Sequence, residues 1–239
     1  LMLRPGQVRM DNDRLRELYA LTACGASHPA LWEPAFRLAA ILTDKPLQEP
    51  VAGWISQALA AQEESGALPM PLMEALQVMR AAWAMYEAVP ERALLERMMR
   101  WCGWLSVNWE EAEACAELRV HPADLMELAC NLYRVTGRKG LTALCKRIRW
   151  ASMDWSGILH TFAVQRPMKR LISRADLDEG MAAEEGSESG FYTRQYLTCH
   201  GETLADGARA SMMSACYSGN GPEASAARAG WEKISRWHG

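Results

Sequence analysis

The stretch Cys199-His200-Gly201-Glu202 holds the side chains of this 239-residue chain best suited to chemistry. A neutral imidazole has one donor and one acceptor nitrogen, so His200 can serve a hydroxyl-bearing ligand in either sense. It can equally cap the helix predicted by the residues that follow. Glu202 can pair with His200 or share its ligand, although a helix dipole also favours a glutamate in a first turn. Trp237 and His238 place an aromatic face and a second imidazole at the other end of the same region, where a frayed terminal histidine is an equal reading. His121 stands before Pro122 and Asp124 at a predicted helix start, and Asp124 there reads as a cap or first-turn acid before it reads as a ligand. His28 and His160 read as surface or packing residues.

The seven cysteines, at 24, 102, 115, 130, 145, 199 and 216, are odd in number, widely spaced and never Cys-x-x-Cys. They read as buried thiols of a reducing compartment, which gives a cytoplasmic expectation, and a zinc site built from them alone is not expected. A glycosidase of the usual kind needs two carboxylates ~5–9.5 Å apart. The 29 acidic residues do not announce which of them meet. Glu110-Glu111 and Glu184-Glu185 read as solvated charge. No glycine-rich phosphate loop and no Gly-x-Ser-x-Gly elbow is present. A net charge of −3 gives no electrostatic reason to expect nucleic acid or an anionic membrane as partner. No apolar run approaches the ~20 residues of a membrane span, and Leu1 to Gly6 lack a signal peptide's apolar stretch. The opening on Leu1 and the ending on His238-Gly239 would suit a fragment of a longer protein.

The elements that must position these residues are helices. Ala, Leu, Met, Glu and Arg dominate, and strand-type alternation is nearly absent. Asp11-Asn12-Asp13 can cap a first helix to about Ala23. Pro29 begins a second, with Leu31, Ala35, Leu38, Ala39 and Leu42 on one face. Pro50 is placed in the first turn of a third, ending near Ser65-Gly66. A fourth carries Leu72, Leu76, Met79, Ala82, Trp83 and Tyr86. Pro90 starts a fifth, through Leu94, Leu95, Met98, Met99, Cys102 and Leu105. Pro122 starts another, ended by Thr136-Gly137. The next covers Leu141 to Trp150 and can restart near Asp154. From Arg166 to Gly190 the pattern breaks, as in a long loop or insertion. Helix resumes from Tyr192 to Tyr217 with a possible break at His200-Gly201. After the turn Gly219-Asn220-Gly221-Pro222, a last helix covers Glu223 to Trp237.

Three units share an order of apolar helix, tyrosine, polar turn and helix ending in tryptophan: Tyr86 to Trp101, Tyr133 to Trp150 and Tyr217 to Trp231. Helical hairpins of roughly 40–47 residues suggest a solenoid or a closed toroid of helix pairs. The ten tryptophans would suit stacking on sugar rings. Trp83, Trp101, Trp104, Trp150 and Trp231 fall on apolar faces, however, so core packing is the better reading for them, with Trp54 and Trp237 open.

The segment from Thr198-Cys199-His200-Gly201-Glu202 through Ala205, Ala208, Ala210, Tyr217 and Gly219, and on to Trp231, Arg236, His238 and Gly239, is similar to the β-L-arabinofuranosidase-like glycoside hydrolases of family 127. In those proteins a histidine opens a helix of small residues, a tyrosine and a glycine turn follow, and a second helix ends in aromatic-His-Gly. Leu3-Arg4-Pro5-Gly6-Gln7-Val8-Arg9, Gln62 to Leu68, and Asp124 to Gly137 resemble further family segments, less specifically. The resemblance implies an (α/α)6 toroid, carbohydrate as partner, and retaining hydrolysis with a zinc-bound cysteine thiolate as proposed nucleophile. The family's zinc ligands would follow the His-Gly at the end of this chain. No catalytic residue and no metal ligand is therefore assigned here, and Cys199 and Cys216 do not match the family's positions. The chain also departs from the family over Pro69 to Met79, where no Trp-rich segment stands.

The expectation is thus an all-α chain of helical hairpins of the (α/α)6 toroid type, incomplete if the chain is a fragment. Residues 1–239 would form a single domain with a loop at 166–190. His200, Glu202, Trp237 and His238 are the expected sugar-binding residues. The function would be hydrolysis of terminal L-arabinofuranosyl or related linkages when the domain is complete. The alternatives are a non-catalytic helical-repeat scaffold and an inactive sugar-binding relative.

Overall fold

A computed structural model describes residues 28–43, 45–110, 118, 121–161, 201–219 and 221–237, with side chains for all of these except 47, 158, 160–161, 201–202 and 233–237. Among the described residues the chain is all-α, with no strand. The expected first helix at 11–23 and the loop at 166–190 lie outside them. The chain divides into two compact units, residues 1–115 and 116–239. Among the described residues no helix is long and apolar enough to cross a membrane.

In the first unit a short 3-10 turn, Pro29–Leu31, leads into α1, Trp32–Leu42. The His28 side chain caps this turn, Nδ1 accepting from the Ala30 N–H at 3.3 Å. Next come α2 at Lys45–Ala60, α3 at Leu72–Ala88 and α4 at Arg92–Val107. Pro50 does not begin α2 but lies inside it. A proline deletes one intrahelical hydrogen bond. Here the deletion falls in the second turn, and Val51, Ile55 and Leu59 supply a buried i, i+4, i+8 stripe that holds the helix. α3 is buried almost all round, from Ala75 to Ala84, as expected of a central helix packed against α1, α2 and α4. Ion pairs fasten its rim to α1: Arg37 to Glu87 at 2.8 Å and Arg80 to Glu33 at 2.8 Å.

The turn between α2 and α3 is closed by Gln62 and Gly66. Gln62 Nε2 donates to the Gly66 and Arg97 carbonyls, each at 3.0 Å, and Arg97 donates to the Leu59 carbonyl. Gly66 has φ +99°, and a Cβ there would lie 2.5 Å from the Arg100 carbonyl oxygen. Both the dihedral and the space therefore require glycine.

The second unit comprises α5 at Ala123–Thr136, α6 at Lys139–Ala151, α7 at Trp155–Thr161, α8 at Gly201–Ser218 and α9 at Gly221–Trp237. Gly137, at φ +66°, ends α5 in the left-handed conformation, as the Thr-Gly pair predicts. α8 is the hub, packing on α5, α6, α7 and α9. Its small residues permit this: the Trp155 ring lies where a Cβ on Gly207 would be, 2.1 Å from Cε3. Gly230 of α9 likewise lets Leu159 and Ala208 approach.

The tyrosine–tryptophan repeat does not survive as a packing repeat. Trp101 is 0% exposed, whereas Trp150 is 86% and Trp231 40% exposed, so the last two are not core residues. Each is flanked by small or charged neighbours, and the apolar faces of α6 and α9 are completed without them, by Leu141, Leu144, Cys145 and Ile148 and by Ala226 and Ala227. Among the described residues of the second unit the buried tryptophan is Trp155, 2% exposed, which lies outside the repeat.

Candidate functional site

α8 and α9 are joined at Gly219, which takes φ +68°, and pack along each other as a hairpin. Glu202 in the first turn of α8 and Trp237, the last residue of α9, therefore belong to the same end of that hairpin. Their side chains, and the whole of His200 and His238, lie outside the described residues.

One turn further along α8 stands a cluster of charges. Asp206, whose side chain is 8% exposed, reaches the start of α5, where its Oδ2 accepts from the Ala123 N–H at 3.4 Å. The same oxygen lies 3.9 Å from Nδ1 of His121. Arg209, one turn later, approaches Asp206 at 3.6 Å, donates to Asp124 at 3.0 Å and pairs with Glu127. Burial alone would weaken the Arg209 guanidinium. The charges and hydrogen bonds of Asp124 and Glu127 outweigh it and hold the pKa above its ordinary value. Asp124 occupies the first turn of α5, where its charge also suits the helix dipole.

Helical spacing explains the cluster. Asp206 and Arg209 are three apart on α8, Asp124 and Glu127 three apart on α5, and residues so spaced share a face. Sequence reasoning did not single out Asp206 or Arg209, because the small residues around them read as packing. The available signal was the i, i+3 acid–base pair inside a helix otherwise rich in small residues. Chemically, three carboxylates converge on one guanidinium, which satisfies them as ion pairs and does not present two of them across an opening.

The other candidates have structural tasks. Gln62 holds a turn to α4, as described above. Trp83, Trp101 and Trp155 are buried, with indole N–H groups that meet no acceptor among the described residues, while Trp54 and Trp104 are half-buried. Cys102 is buried, and burial pushes its thiol pKa up to about 12, which makes it inert. Cys216 is exposed, against the expectation of buried thiols. Cys130 and Cys145 face each other with sulfurs 3.8 Å apart. Among the described residues no three His, Cys, Asp or Glu side chains converge as a metal would require. No protein-family profile, curated protein or solved structure matches this chain.

Proposed function

We propose that the chain is a helical portion of a carbohydrate-active protein of the family-127 type, built on (α/α)6 hairpins. It would bind an L-arabinofuranosyl or related sugar at the end of the α8–α9 hairpin that carries Glu202 and Trp237, with His200 and His238 adjoining. The observation that supports this reading is the hairpin itself. α8 and α9 pack along each other across the turn at Gly219, the helix, glycine turn, helix order that the family segment has.

The test is a titration of the chain with methyl β-L-arabinofuranoside, followed by NMR or calorimetry. Saturable binding is expected, weakened by roughly tenfold or more in His200→Ala and Trp237→Ala. Turnover of an aryl β-L-arabinofuranoside by this chain is not expected. No sugar binding by a chain of normal helicity would sink the proposal. One observation favours a second reading, a non-catalytic helical scaffold: Asp124, Glu127 and Asp206 are all engaged by Arg209. The absence of sugar binding in the same titration would leave that reading standing.

A further inference from the structure

Cys130 and Cys145 stand at matching distances from the Gly137-Arg138 connection, seven residues before it and seven after. The α5–α6 hairpin therefore brings them to the same level, and their sulfurs lie 3.8 Å apart with either thiol able to donate. The Cys145 sulfur also lies 4.0 Å from the Met126 carbonyl, one turn before Cys130. Cys145 is buried at 1% exposure, and Cys130 is half-buried. A disulfide needs the sulfurs to close to ~2.05 Å, and here they begin in contact. We propose that Cys130 and Cys145 form a redox-active dithiol, in which Cys130 attacks a small-molecule disulfide and Cys145 resolves the adduct into an intramolecular disulfide.

The electronic environment supports the order of attack. The hydrogen bond from Cys145 holds the Cys130 thiol below its ordinary pKa; burial and the nearby Glu127 oppose this, and Arg134 assists it. In the first step the Cys130 thiolate attacks one sulfur of the disulfide. The S–S bond breaks, a mixed disulfide forms, and the other half leaves as a thiolate that takes up the proton lost from Cys130. In the second step Cys145 loses its proton and attacks the Cys130 sulfur, expelling the second half as a thiol. The protein gives up two electrons and two protons, and the small disulfide becomes two thiols. The product bond staples α5 to α6, one turn from the Glu127–Arg209 ion pair.

The experiment exposes the folded, reduced chain to oxidised glutathione, quenches with acid and maps the peptides. Trypsin cuts between the two cysteines, so the bond appears as peptide 120–134 linked to peptide 140–146, with two hydrogens lost. Cys145→Ser is expected to accumulate the glutathione adduct on Cys130, and Cys130→Ser to leave Cys145 a thiol. Circular dichroism checks that both variants keep their helicity. If either variant fails to fold, the linked peptides of the unaltered chain decide the matter. The proposal is overturned if those peptides link only after the chain is unfolded in urea, or if glutathione reaches Cys145 first.

Discussion

At the scale of single residues, the decisive contacts are those where a side chain has no room to change. Gly207 lies inside a helix, where alanine would ordinarily gain about 1 kcal/mol. The buried Trp155 ring occupies the place of its Cβ. Trp155 is large, rigid and enclosed, so steric cost wins. Gly207→Ala is expected to lose about 1–3 kcal/mol of stability, measured by urea unfolding. Gly103, which is exposed and whose added Cβ would meet nothing within 4 Å, is the internal control and should gain on the same change. Cys102 gives a prediction about pH. Its thiol titrates near the ordinary value of 9 when unfolded and near 12 when folded. The unfolded chain thus loses that proton first, so the contribution is complete below about pH 9 and is lost as pH rises toward about 12. Unfolding midpoints recorded across that interval should fall more steeply for the unaltered chain than for Cys102→Ala.

At the scale of elements, the start of α5 is completed by another helix. Asp206 of α8 accepts from the Ala123 N–H, which its own helix leaves without a partner, and it also faces Arg209. Asp206→Ala removes a cap and a charge together and is expected to cost about 1–3 kcal/mol. Hydrogen exchange should show the loss at the first turn of α5 before it reaches the end of that helix. If the first turn keeps its protection, the cap is not what holds it. This scale also shows what could be read in the sequence. The helices after Pro29, Pro90 and Pro122, and the stop at Gly137, were legible because proline, glycine and a 3.6-residue apolar stripe are local signals. The start of α2 was misplaced because Pro50 looks locally like a first-turn residue, whereas the helix already runs from Lys45. Trp150 and Trp231 were misread because amphipathic spacing cannot tell whether neighbouring small residues already fill a face. The charged cluster was illegible for a different reason: its cross-helix contacts join residues more than eighty apart in the chain, as Ala123 and Asp206, 83 apart, show.

At the scale of the whole molecule, each of the two compact units has its own apolar interior. In the first it includes Leu76, Met79, Met98, Trp101 and Leu105; in the second, Leu125, Leu132, Leu144, Trp155 and Leu204. Leu105 is 0% exposed, so Leu105→Ala should cost about 2–5 kcal/mol by opening a void. The loss should appear first in the exchange protection of α1 to α4, because a void weakens the interior that contains it. A simultaneous and equal loss in α5 to α9 would mean that the two units open as one.

The reach of Asp206 across to α5 carries a consequence for how the chain is made. Synthesis proceeds from the N-terminus, so α5 and α6 leave the ribosome well before α8 exists. Their hairpin can form from local contacts, but the first amide of α5 must stay with water until residue 206 has been added and α8 has docked. A nascent chain arrested before that point should therefore hold a hairpin with a ragged beginning, which the growing chain closes only when α8 arrives.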